Sequence, residues 1–320
     1  MSEEPRAISE GDLLAEAPEA TVTDRWTLSR PVSKEESRPA AMAWWPIARI
    51  GLKLVMKRWI FKVFLGLGLM NFLFFSSMIY FLADLKNRGL PQGAIEFARN
   101  FAFIGNGETY RNFIFAQNIV VMLLLAVSGT VLVSNDFRFR SLTFYLSKPL
   151  GRGQYFLGKL VATSMLVGML TLLPCLVLFI EYGLFSESFD YFTESADIFF
   201  AIMGYGLLVS IGMSVILLGV AALLQRTISI VMVWGLIFVF LPGITALLRA
   251  GTDTRYWGML DFWGLLSQIG GIFFGDSPEA GTFSAEGSLL PLEALGALAA
   301  WLSIALWAFW SKTRAVEVVS

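Results

Sequence analysis

Six stretches of this chain are long and apolar enough to cross a bilayer, and nothing else in the sequence constrains the fold as strongly. A hydrocarbon core about 30 Å thick takes roughly 20 helical residues at 1.5 Å of rise each. Residues 63–82, 113–133, 160–180, 198–224, 228–248 and 289–310 each supply such a run. Hydrocarbon offers the backbone no hydrogen-bond partners, so spanning segments must be helices or a closed barrel. The alternating pattern of about ten residues that marks a barrel strand is missing. Composition agrees: 56% of residues are apolar and 15% charged, against about 25% charged in a soluble domain. The expected fold class is an all-α polytopic membrane protein with six transmembrane helices.

The loops give an expected orientation. Residues 134–159 carry Arg138, Arg140, Lys148, Arg152 and Lys159 against Asp136, whereas 181–197 carry Glu181, Glu187, Asp190, Glu194 and Asp197 and no base. Lys53, Lys57, Arg58 and Lys62 precede the first span, and Lys312 and Arg314 follow the last. The positive-inside rule then puts both termini and the 134–159 loop in the cytoplasm, in a plasma (inner) membrane. The first outer loop runs against this trend with Lys86, Arg88, Arg99 and Arg111, and the remaining ends outvote it.

Residues 1–41 read as a disordered cytoplasmic tail, acidic at first and rich in Ala, Pro, Ser and Thr. Residues 42–320 form the membrane domain. In 42–60, Trp44, Trp45, Ile47, Ile50, Leu54 and Val55 interleave with Arg49, Lys53, Lys57 and Arg58. This is the pattern of an N-terminal interfacial helix, with a cytosolic extension of the first span as the alternative. Residues 249–288 are too apolar for a solvated loop and too broken by Gly270, Gly271 and Gly275 to span. A re-entrant outer segment between spans five and six fits, with a peripheral outer helix as the alternative.

The absences exclude whole chemistries. There is no histidine and one cysteine, Cys175. Ser-His-Asp and Cys-His catalysis, histidine metal ligation and disulfides within the chain are therefore excluded. The middles of the spans carry no ionisable side chain, which leaves no evident ion relay. Glu293 is the one acid inside a predicted span, near its outer end, and reads as an interface carboxylate. Pro174 and Pro242 are expected to kink their helices. Gly206, Ser210 and Ser214 recur at i, i+4 and i+8, a small-residue face suited either to helix packing or to lining a passage. The expected cofactor count, catalytic residue count and metal site count are all none, and the absence of a basic excess argues against nucleic acid.

The 134–159 loop is both basic and aromatic, with Phe137, Phe139, Phe144, Tyr145, Tyr155 and Phe156. Apolar residues rimmed by charge suit a docking face. Gly153, Gly158 and Lys159 match the spacing of a phosphate loop, but Leu160 stands where Ser or Thr would bind magnesium, and bulky residues fill the interval.

Asp136, Leu142, Leu146, Ser147, Pro149, Arg152, Tyr155, Gly158 and Lys159 together resemble the loop pattern of ABC-2-type transporter permeases. The resemblance extends to the span layout of 42–320 and not to the tail. Arg140 stands where many members have Gly, which favours a helical local turn. The resemblance implies the permease subunit of an ATP-driven ABC transporter, an exporter in most members, with no enzymatic activity of its own. It implies two permease protomers, as homodimer or paralogue pair, and separate ABC ATPase subunits that bind ATP and Mg. The loop residues expected to couple to the ATPase are Asp136, Phe137, Arg138, Arg140, Leu142, Tyr145, Leu146, Pro149, Arg152 and Tyr155. The other reading is a non-transporting membrane scaffold or assembly subunit associated with an ATPase. A polytopic membrane enzyme is disfavoured, because the spans offer no nucleophile, base and ligand set.

Overall fold

A computed structural model describes residues 44–87, 105–129, 132, 133, 136, 151–185, 190–224, 226–252, 254–275 and 289–314. The chain is all-α, and no strand occurs among the described residues. A short helix α1 (Trp44–Met56) precedes α2 (Trp59–Asn87) and α3 (Gly107–Gly129). Then come α4 (Arg152–Leu170), α5 (Leu172–Phe185), α6 (Asp190–Glu194) and α7 (Ala196–Leu223). The chain continues through α8 (Thr227–Gly235), a π-helical turn (Leu236–Phe240), α9 (Leu241–Thr252) and a 3-10 turn (Arg255–Leu260). Helices α10 (Phe262–Phe274) and α11 (Pro291–Arg314) complete it.

Six helical rods are long and apolar enough to span: Trp59–Phe81, Gly107–Gly129, Arg152–Phe185, Ala196–Leu223, Ile228–Thr252 and Pro291–Thr313. They coincide with the six runs read from the sequence. The third is longer at both ends than the apolar run alone, so it takes in Lys159 and Glu181. Both ionisable groups are answered by other parts of the chain: Lys159 as described below, and Glu181 by the Ser76 hydroxyl, which donates to Oε1 at 2.8 Å.

Helix α7 is the hub. Its most apolar window is 72% buried, against 11% for α2, and it packs on α11, α4, α10, α3 and α5. Small residues permit this. A Cβ on Gly219 would lie 2.7 Å from the Ala305 carbonyl oxygen and 2.8 Å from its Cα, so α7 and α11 touch backbone to backbone. The face formed by Gly206, Ser210 and Ser214 packs on α4 and α5. Gly206 sits against Leu172, and Gly168 lies opposite Ser210. The Ser210 and Ser214 hydroxyls donate to the Gly206 and Ser210 carbonyls of their own helix, both at 2.7 Å. Such back-bonding lets a hydroxyl enter an apolar seam without an orphaned donor.

Both prolines leave marks. The third rod breaks at Thr171, three residues before Pro174, whose ring and missing N–H cannot serve the carbonyl of Leu170. The Thr171 hydroxyl donates to the Val167 carbonyl at 2.9 Å and holds the joint together. In the fifth rod the π-helical turn ends just before Pro242, and the Leu241 N–H reaches back five residues to Leu236. There the Trp234 indole donates to the Met122 carbonyl of α3 at 2.9 Å, tying the widened turn to the bundle.

The segment between the last two spans folds inward. Phe262, Leu265, Leu266 and Ile269 of α10 are buried against α3, α7 and α11. Asp261 caps α10, its Oδ1 accepting from the Gly264 N–H at 2.9 Å, and Gly275 ends the helix in the left-handed region at φ 68°. Burial raises the Asp261 carboxyl above its ordinary value, while the Gly264 N–H and the Arg249 charge pull the other way. Glu293 opens α11 behind Pro291. Its Oε2 accepts from the Leu290 N–H at 2.9 Å, and its Oε1 meets the Arg255 guanidinium at 2.9 Å.

Two outcomes follow from this packing. Gly219→Ala should cost about 1–3 kcal/mol, because the neighbouring backbone cannot move aside. Gly212→Ala, whose Cβ would meet only Leu302 at 4.0 Å, should be neutral or mildly stabilising. Thermal unfolding in detergent distinguishes the pair. Asp261→Ala should lose about 1 kcal/mol with the cap, and Asp261→Asn should keep it. A carboxyl raised on folding stabilises fully below its unfolded value, and that benefit is lost as pH rises through the folded value. The stability of Asp261→Asn relative to wild type should therefore improve from about pH 4 to neutrality.

Candidate functional site

The best-defined polar site lies where the second span ends and the third begins. Helix α4 starts behind Gly151, whose extended backbone (φ −70°, ψ 149°) lets its carbonyl accept from the Gln154 and Tyr155 N–H groups. One helical turn separates Tyr155 from Lys159, so both side chains project from one face of α4. They converge on Asp136. The Lys159 Nζ lies 2.6 Å from Asp136 Oδ2, and the Tyr155 hydroxyl donates to the same oxygen at 2.9 Å. The ammonium also donates to the Leu132 carbonyl and lies 5.6 Å from the centre of the Tyr155 ring.

The ion pair is largely shut off from solvent, with the Lys159 side chain 7% and the Asp136 side chain 15% exposed. Two opposite charges withdrawn from water hold each other only if their remaining hydrogen-bonding capacity is met. Tyr155 and the Leu132 carbonyl contribute to that. Aromatic packing closes the site from α11: Tyr155 stacks on Phe309 at 6.3 Å, and Phe156 meets Phe309 at 4.9 Å and Trp310 at 6.2 Å. On the other side α1 seats against α4. A Cβ on Gly158 would lie 2.8 Å from both Ile47 Cβ and the Trp44 carbonyl oxygen, and one on Gly51 would lie 3.1 Å from Leu132. Helices α1, α4 and α11 and the end of the second span therefore meet at one cluster.

Of the ten coupling residues expected from the sequence, the structure brings Asp136 and Tyr155 together. It places Arg152 half-buried in the first turn of α4. Phe137, Arg138, Arg140, Leu142, Tyr145, Leu146 and Pro149 lie outside the described residues. Lys159 emerges as a principal member of the cluster; in the sequence it counted as a loop cation and a motif position. Phe309 and Trp310 carried no signal beyond that of aromatic residues at a span end. The stretch from Gly153 to Lys159 is continuous helix, so it cannot wrap a phosphate, and its lysine is committed to Asp136.

The chemistry available here is mechanical. A buried ion pair and a phenol sharing one carboxylate oxygen make a rivet between chain positions on either side of segment 137–150. Six long apolar helices, with α7 as their hub, define a multi-pass helical membrane protein. Neither known family models nor curated proteins match this chain.

Removing one partner of the rivet leaves an uncompensated buried charge. Asp136→Leu or Lys159→Met should each lower stability by about 3–5 kcal/mol. Asp136→Leu combined with Lys159→Met should lose much less than the sum of the two. A double-mutant cycle on thermal unfolding in detergent reads the coupling.

Proposed function

We propose that this chain is the membrane-embedded permease subunit of an ATP-driven transporter of the ABC-2 type, working as an exporter in a pair of protomers. Separate ATPase subunits bind ATP and Mg and dock on segment 134–159 at the cytoplasmic face of the plasma (inner) membrane. The observation that carries this reading is the Asp136–Lys159–Tyr155 cluster. A segment that transmits force needs a stiff root, and this one is rooted in three helices at once.

The sequence supports the same reading from the opposite side. The span middles hold no Asp, Glu, Lys, Arg or His to harness an ion gradient, so energy for uphill movement has to enter from a partner. Phe137, Leu142, Tyr145 and Leu146 serve as apolar anchors, with Pro149 ending the docking segment. Arg138, Arg140 and Arg152 set its orientation or meet lipid phosphates. Closure of the ATPase pair pulls on this segment and shifts the spans between two packings. The joint at Thr171 and the π-helical turn before Pro242 are places where a rod can bend without orphaning its backbone.

Replacing Phe137, Leu142 and Tyr145 together with Asp tests this reading. The partner ATPase should be lost on co-purification, while the variant still inserts and elutes as a folded species. If the ATPase stays bound and transport survives, the docking assignment is wrong.

A further inference from the structure

Helix α1 has three faces with three chemistries. Ile47, Gly51 and Val55 fall at i, i+4 and i+8 and are buried. Arg49, Lys53 and Lys57 fall at the same spacing two residues on, about 200° around the helix, and all three are exposed. None of the three has an acidic partner among the described residues. Lys57 lies just past the last α-helical residue, yet its N–H still bonds the Lys53 carbonyl at 3.1 Å, so the stripe continues unbroken. Between the cationic stripe and the buried face runs a third strip, Ile50 and Leu54, 59% and 54% exposed.

A row of cations beside a row of bare aliphatic side chains wants two media a few ångströms apart. An acidic protein groove would answer the cations and leave Ile50 and Leu54 wet. The boundary of a bilayer answers both: acyl chains for the aliphatic strip, and phosphates for the ammonium and guanidinium groups. Trp45 near the start of α1 and Trp59 at the start of α2, 45% and 75% exposed, suit the same depth.

We propose that Arg49, Lys53 and Lys57 form a docking stripe for the headgroups of anionic lipids, and that lipid held there steadies the Asp136–Lys159 cluster through α1. The route is contact. The buried face of α1 presses on Gly158, next to Lys159, and Gly51 packs on Leu132, whose carbonyl accepts from Lys159. A ligand bound to the seated position of α1 stabilises that position by mass action. Each cation at an anionic surface strengthens association about fivefold. This inference does not depend on the transport reading, because it concerns the chain alone.

The test uses the full chain, without ATPase, in phosphatidylcholine vesicles containing a trace of photoactivatable phosphatidylglycerol. Crosslinks should map to residues 44–58. Unlabelled phosphatidylglycerol should compete, and phosphatidylcholine and inorganic phosphate should not. Combining Arg49→Gln, Lys53→Gln and Lys57→Gln should cut labelling of that peptide at least fivefold and abolish the rise in melting temperature that phosphatidylglycerol gives the wild type. Arg49→Lys, which keeps the charge, should label as the wild type does. Equal labelling by a phosphatidylcholine probe, competition by inorganic phosphate, or undiminished labelling of the triple variant would each overturn the proposal.

Discussion

In hydrocarbon no water answers an unpaired polar group, so most are answered from within the chain, the buried Asn118 carboxamide and Ser164 hydroxyl being exceptions. The backbone complies by being helical. Ser128, Thr163, Thr171, Ser210, Ser214 and Thr313 comply by donating to carbonyls three or four residues back. Asn71 complies by donating to Gln117 at 2.7 Å, with Gly68 giving that carboxamide room. Lys159 and Asp136 comply by finding each other. The tertiary structure is to a large degree the record of these pairings, with small residues placed wherever two helices must approach closely.

The ion pair does more than neutralise two charges. A hydrophobic pair of the same volume would pack there at no greater cost, so the distinctive property of Asp136 and Lys159 is geometric. Apolar contacts tolerate sliding. A carboxylate oxygen that accepts from both an ammonium and a phenol fixes a register. The chain thus spends its one buried ion pair of this kind among the described residues at a point where three helices and the end of a span meet.

Spans, prolines and small-residue faces were legible because each has a local signature: run length, a missing N–H, a repeat of four. The apolar runs at 198–224 and 289–310 matched their helices to within a few residues. The third run fell short because hydropathy ends where charge begins, and Lys159 and Glu181 enter the helix through partners far along the chain. Those partners, Asp136 and Ser76, are 23 and 105 residues away. No window of local sequence reports such a distance. The same holds for Phe309 and Trp310, which close the cluster from the far end of the chain. Gly158 and Lys159 were visible only as motif and family-like positions, the lysine also as a loop cation, and their physical purpose appeared with α1 against one and Asp136 against the other.

Helix α2 stands apart in this bundle. It buries little of itself against its neighbours, and among the described residues its polar ties are the stitches of Asn71 to Gln117 and Ser76 to Glu181. Helix α7, the fourth span, is by contrast mostly buried, and the helix that covers it most closely, α11, comes later in the chain than every other helix packed on it. During synthesis the first span can therefore rest in lipid with few contacts outstanding, while the hub waits, half-dressed, for α11. Until α11 is in place the seam at Gly219 lies open, and the hub is covered only when the Ala305 backbone closes on it.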